Sequence, residues 1–122
     1  MAEELFDSKG RPVQGRVLST SQETGDTTND YVSALDWDTR YLRDKSMLLK
    51  NTHGSNGLKY KLLVQFYYGG ADHEEVAEHS LAFGEDVTFQ YLKPYARIKV
   101  QLKAAVADSQ ASYQVDYIGY GV

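Results

Sequence analysis

The chain contains no cysteine, which excludes disulfides, thiolate metal sites, redox pairs and cysteine nucleophiles while leaving the compartment open. Proline occurs twice and tryptophan once in 122 residues. No apolar run approaches the roughly 20 residues of a membrane span. The opening segment MAEELFDSKGRP lacks the basic-then-apolar order of a signal sequence. These absences predict a soluble, unprocessed chain without a membrane partner. An excess of positive charge is missing too. Thirteen Lys and Arg face seventeen Asp and Glu, a formal charge of -4, so no basic field gathers a polyanion and nucleic acid is disfavoured as a partner. What is present, 42% hydrophobic and 25% charged residues, is the profile of one compact domain. At this length about two thirds of the unfolded surface can be buried without a metal or disulfide staple.

Composition changes near Asp30. The stretch STSQETGDTTND, Ser19 to Asp30, holds no apolar residue and cannot form core alone. Residues 1–30 are therefore expected to be an extended N-terminal arm, and residues 31–122 a β-sandwich domain that folds without Met1 to Asn29. The arm's anchors are expected to be Leu5, Phe6, Val13, Val17 and Leu18. They would lie on a neighbouring subunit, the favoured reading, or on the chain's own sheet edge, with Val13 to Ser19 as an extra strand.

From Tyr31 onward the apolar period is two. Leu58, Tyr60, Leu62, Val64, Phe66 and Tyr68 share one parity, and Ala96, Ile98, Val100, Leu102 and Ala104 repeat the pattern between Arg97, Lys99, Gln101 and Lys103. Such alternation is that of half-buried strands. Val87 to Tyr91 and Tyr113 to Tyr117 alternate likewise, with further strands expected at Tyr31–Asp36, Ser46–Asn51 and His73–Leu81, about seven in all. NTHGSNG, GGAD and FGED supply the positive-φ residues that the tight connections between them require, and WDTRYLRDK, Trp37 to Lys45, predicts a short helical turn. The fold class is all-β, an antiparallel two-sheet sandwich of immunoglobulin-like or jelly-roll-like type with an N-terminal arm.

The sequence offers little chemistry. His73, Glu75 and His79 would share a strand face, but the histidines would stand about 20 Å apart, too far for one zinc ion. No nucleophile elbow or phosphate loop occurs, and the acid pairs Glu74–Glu75 and Glu85–Asp86 read as solubilising. No enzyme activity, metal or cofactor is expected. The stripe Arg97, Lys99, Lys103 with Lys59 and Lys61 reads as a solvated face, paired across the sheet with Glu75 or Glu78. Of the ten tyrosines, Tyr60, Tyr68, Tyr91, Tyr113 and Tyr117 have the inward parity. Tyr67, Tyr95 and Tyr120 do not, and as exposed aromatics they suit a protein interface or, secondarily, a sugar platform.

The stretches SMLLKNTHGSNGLKYKLLVQF (Ser46 to Phe66) and SLAFGEDVTFQYLKPYARIKVQLKA (Ser80 to Ala104) resemble the strand–loop–strand units of small β-sandwich proteins in tailed-bacteriophage virions. The resemblance spans Tyr31 to Tyr120 and leaves out the arm. It implies a virion structural protein, most simply a capsid decoration protein. Such a protein binds non-covalently to the major capsid protein or other virion subunits and to itself as a homo-oligomer. The alternative is a carbohydrate- or receptor-binding module of a phage tail or fibre, with a glycan as partner.

Overall fold

Alternating side chains become eight strands in the computed structural model, which describes residues 17–121. They are β1 (Val17–Asp26), β2 (Val32–Asp38), β3 (Asp44–Asn51), β4 (Leu58–Gln65), β5 (His73–Leu81), β6 (Asp86–Tyr91), β7 (Arg97–Ala104) and β8 (Ser112–Tyr120). One sheet has the order β1-β8-β3-β6 and the other β2-β7-β4-β5, and every pairing is antiparallel. Only β4 and β5 are consecutive strands within one sheet; every other connection crosses to the opposite sheet. That order is a jelly roll, which decides between the two sandwich types expected.

The inward parity of β4 and β7 builds the core: Leu58, Tyr60, Leu62 and Val64 beside Ile98, Val100, Leu102 and Ala104. Met47 and Leu49 of β3 and Tyr113 and Val115 of β8 meet them from the other sheet. At Ser33–Leu35 a bulge in β2 turns two successive residues, Ala34 and Leu35, inward.

The compositional break at Asp30 does not coincide with the edge of the sandwich, because Val17–Asp26 pairs along β8. A polar strand is stable here because it is a sheet edge and needs few core groups. Ser19 Oγ accepts a hydrogen bond from the Trp37 indole at 3.2 Å. Gln22 donates to Asp116 at 2.7 Å. Gly25 leaves room for the Tyr113 ring, whose hydroxyl would lie 2.6 Å from a Cβ. Three other expectations are corrected. No helical turn forms over Trp37 to Lys45: Trp37 and Asp38 continue β2, Asp44 and Lys45 begin β3, and the corner closes by Leu42 N–H to Thr39 O at 3.1 Å. Strand β4 ends at Gln65, so Phe66 and Tyr68 are exposed rather than core. In NTHGSNG neither glycine has positive φ, whereas Gly69 of GGAD and Gly84 of FGED have it as expected. That loop is held by buried Asn51, which donates to Asn56 O and Leu81 O and accepts from His53 N–H.

Candidate interaction surface

Three loops meet at one end of the sandwich: residues 39–43 between β2 and β3, 66–72 between β4 and β5, and 92–96 between β6 and β7. They carry five of the large apolar side chains that face solvent: Tyr41 at 75% exposure, Tyr67 at 70%, Leu92 at 66%, Phe66 at 60% and Tyr68 at 49%. The first residues of β1 and the last of β8 also lie here, with Val17 opposite Tyr120. Among the described residues the opposite end has two such side chains, Phe83 and Val106.

Side chains inside the sandwich hold the loops in place. Buried Gln65 accepts the Gly69 N–H at 3.0 Å and donates to Asp72 at 2.8 Å, while its carbonyl accepts Ala96 N–H at 2.8 Å. A Gly70 N–H to Tyr67 O bond closes the turn at 2.9 Å, and the Tyr67 ring occupies the space a Gly70 side chain would need. Thr39, also buried, donates its N–H to Ala96 O and its hydroxyl to Tyr95 O, joining the first loop to the third. Lys45 points inward from β3, fully buried, and donates to Leu42 O at 3.1 Å. Burial lowers its ammonium below the usual range, partly offset by the charge of Asp44.

The exposed aromatics are interleaved with arginine. Arg40 lies 4.2 Å from the Tyr68 ring centre and 5.5 Å from that of Tyr41, and Asp38 holds its guanidinium at 2.7 Å. Arg97, paired with Asp36 in a two-point contact, also approaches Tyr68, at 5.3 Å from the ring centre. Phe66 meets His73 and Tyr95 edge-on, with ring centres 5.1 and 5.7 Å away. Aromatic and arginine side chains ordered before contact carry little further entropy cost on binding, and these residue types dominate the energetics of protein interfaces.

The structure brings all three tyrosines singled out in the sequence to this end but does not expose them alike. Tyr67 is exposed and Tyr120 half-buried at the end of β8. Tyr95 is a correction: it is 2% exposed, its ring flanked by Phe66 and Tyr91 and its hydroxyl bonded to Glu75 at 2.7 Å. Pro94 and the turn from Tyr95 N–H to Lys93 O swing the ring inward before β7 begins. Burial and the Glu75 bond push its phenol up to about 12. Of the arm anchors, Leu5, Phe6 and Val13 lie outside the described residues, and Val17 and Leu18 are placed only as backbone of β1. Sequence reading missed Tyr41, Phe66, Tyr68, Leu92 and Arg40. The run of three aromatics before Gly69-Gly70 was the available signal, since a strand's alternation cannot persist into a tight turn.

The basic stripe on the second sheet is ion-paired. Glu78 takes Lys59 at 3.2 Å and Lys103 at 3.7 Å, and Asp72 takes Lys99 at 3.1 Å. Lys61 lies 4.3 Å from the centre of the Tyr31 ring, whose hydroxyl donates to Glu78 at 2.6 Å. Of the two acids expected, Glu78 pairs with the stripe, and Asp72 and Asp36 take Lys99 and Arg97. His73 and His79 sit apart on β5, opposite Val64 and Tyr60. Among the described residues no three His, Asp or Glu side chains gather as metal ligands would.

No protein-family model matches the chain, and no curated protein matches it in sequence. Solved structures do match in fold. The crystal structure of PirA aligns over 79% of this chain and 92% of its own, at 11% identity and a TM-score of 0.60. Bacillus endospore appendages, described as disulfide-linked pili, align over 90% of this chain and 93% of theirs, at 11% identity and 0.56. The Yersinia pseudotuberculosis-derived mitogen aligns over 81% and 84%, at 10% identity and 0.55. At these identities the likenesses establish the fold alone. Linkage by disulfides is closed to this chain, which has no cysteine.

Proposed function

We propose that this protein is a non-enzymatic structural subunit of a virion, a capsid decoration protein that binds the capsid lattice and further copies of itself without covalent linkage. The observation that carries the reading is the aromatic end surface. Tyr41, Phe66, Tyr67, Tyr68 and Leu92 project from three loops braced by Gln65 and Thr39, with Arg40 stacked among them. A monomer gains nothing from so large an exposed apolar patch, whereas an assembling subunit gains desolvation on contact. Residues 1–16 connect to β1 at this same end, because Val17 pairs with Tyr120. Extended, sixteen residues reach on the order of 50 Å, enough for Leu5, Phe6 and Val13 to engage a neighbour, with Val17 and Leu18 at the root of the arm in β1. Repetition over a lattice turns modest contacts into lasting attachment.

Sedimentation velocity and co-sedimentation with capsid shells test the reading. The wild-type chain is expected to self-associate and to pellet with shells. A Phe66→Ser, Tyr67→Ser, Leu92→Ser variant is expected to remain folded and monomeric in the supernatant. A wild-type chain that stays monomeric at high concentration and ignores shells overturns the proposal.

A further inference from the structure

The two outward sheet faces differ in chemistry. The second sheet's is laced with ion pairs, whereas the first sheet's holds an open depression of about 950 Å³ whose lining includes no lysine or arginine. Cross-strand register organises it. Gln22 faces Asp116, Asp116 faces Leu48, and Leu48 faces Thr88, a row running across all four strands. Ile118 and Gln90 belong to the next row, through Ser46. Three strand spacings make the trough about 14 Å long. Its outward side chains are hydroxyls and amides around a floor of two aliphatic groups, Leu48 and Ile118, with one carboxylate. Asp116 accepts from Gln22 at 2.7 Å and from Gln114 at 3.0 Å.

We infer that this trough on the outer face of the β1-β8-β3-β6 sheet binds a neutral glycan chain. The chemistry selects the ligand class. With one carboxylate in its lining and no cation there, Lys50 of the same face standing near Asp116, the trough offers no lining charge to pair with phosphorylated, sulfated or uronic-acid ligands. Amides and hydroxyls both donate and accept, as a polyhydroxylated chain requires, and the aliphatic floor takes the apolar C–H face of a sugar ring. A second copy of the protein is the weaker occupant. Two identical depressions leave a void when apposed, and two half-buried aliphatic side chains are far short of the apolar core that a stable interface of roughly 1,600 Å² contains. This site is separate from the aromatic end, so each inference can fail alone.

Electrophoresis through gels containing dextran, xylan, galactomannan or laminarin tests it, with the aromatic end left intact. At least one of these neutral polysaccharides is expected to retard the protein. Gln22→Ala and Gln90→Ala, checked for unchanged thermal unfolding, are each expected to weaken retention roughly threefold to tenfold, the effect of one lost neutral hydrogen bond. The inference is overturned if no polysaccharide retards the chain, or if both variants retain full retardation. It is equally overturned if Tyr67→Ser abolishes binding while the glutamine variants do not, or if the glutamine variants alter sedimentation and not glycan retention.

Discussion

The Tyr95 hydroxyl donates to Glu75 Oε2 over 2.7 Å, which ties the corner between β6 and β7 to the edge strand β5. Beneath the exposed loops this bond holds an aromatic layer in which Tyr91 and Phe66 touch the same ring at 5.7 Å. The rigidity of the end surface rests on that layer as much as on the loops.

Alkaline pH should loosen it. Burial and the Glu75 bond raise Tyr95 to about 12, and burial with the Glu75 charge raises Tyr91 to about 12, from 10.0. A phenol whose folded value is raised adds stability that is complete below the unfolded value and is lost as pH rises through the folded one. These two phenols should therefore take nothing from the urea midpoint up to pH 10 and lower it between 10 and 12. Tyr95→Phe should flatten that fall while costing about 1–2 kcal/mol near neutrality, where Glu75 loses its donor.

Lys45 works in the opposite sense. Its ammonium is buried, and among the described residues it donates to one carbonyl, Leu42 O. A lysine whose folded value is depressed makes stability rise with pH up to its unfolded value of 10.5. Lys45→Met fills a similar volume without the charge. It should keep or raise the neutral-pH melting temperature, by an amount equivalent to about 1 kcal/mol or more, and abolish the rise toward pH 10.

Gln65→Leu should leave the core intact and free the loop between β4 and β5, because Gly69 N–H and Asp72 lose their partner. The expected cost is about 1–3 kcal/mol. Chymotrypsin should then cut at Phe66, Tyr67 or Tyr68 much faster than in the wild-type chain.

Truncations separate the arm from the sheet. Removing residues 1–16 should preserve the β-sheet circular dichroism and the melting temperature while weakening self-association. Removing 1–29 takes away β1 as well, so the expectation that the sandwich folds without Met1 to Asn29 is revised. That chain should melt lower and aggregate, since β8 would become an unprotected edge.

Much of the fold was legible because burial leaves a period-two trace. Leu58 to Val64 and Ala96 to Ala104 show it with lysines on the other parity, and those two strands are the paired centre of the second sheet. Strand β1 was illegible because an edge strand facing water on most sides needs no apolar alternation, and its inward parity holds Ser19, Ser21, Glu23 and Gly25, of which Ser19 bonds Trp37 and Gly25 makes room for Tyr113. The end surface was half legible. Tyr67 could be picked out by parity, but parity fails once the chain leaves the sheet. Phe66 and Tyr68 were thus assigned inward, and Tyr95, next to Pro94, outward.

The placement of β8 between β1 and β3 governs the order of assembly. Until the eighth strand has left the ribosome, β1 has no partner and the first sheet is only β3 with β6. Until β8 emerges, β1 must wait in water, and its serines, threonines and acids let it do so without sticking to other nascent chains. Completion of this half of the sandwich therefore requires the first and last of the eight strands to meet.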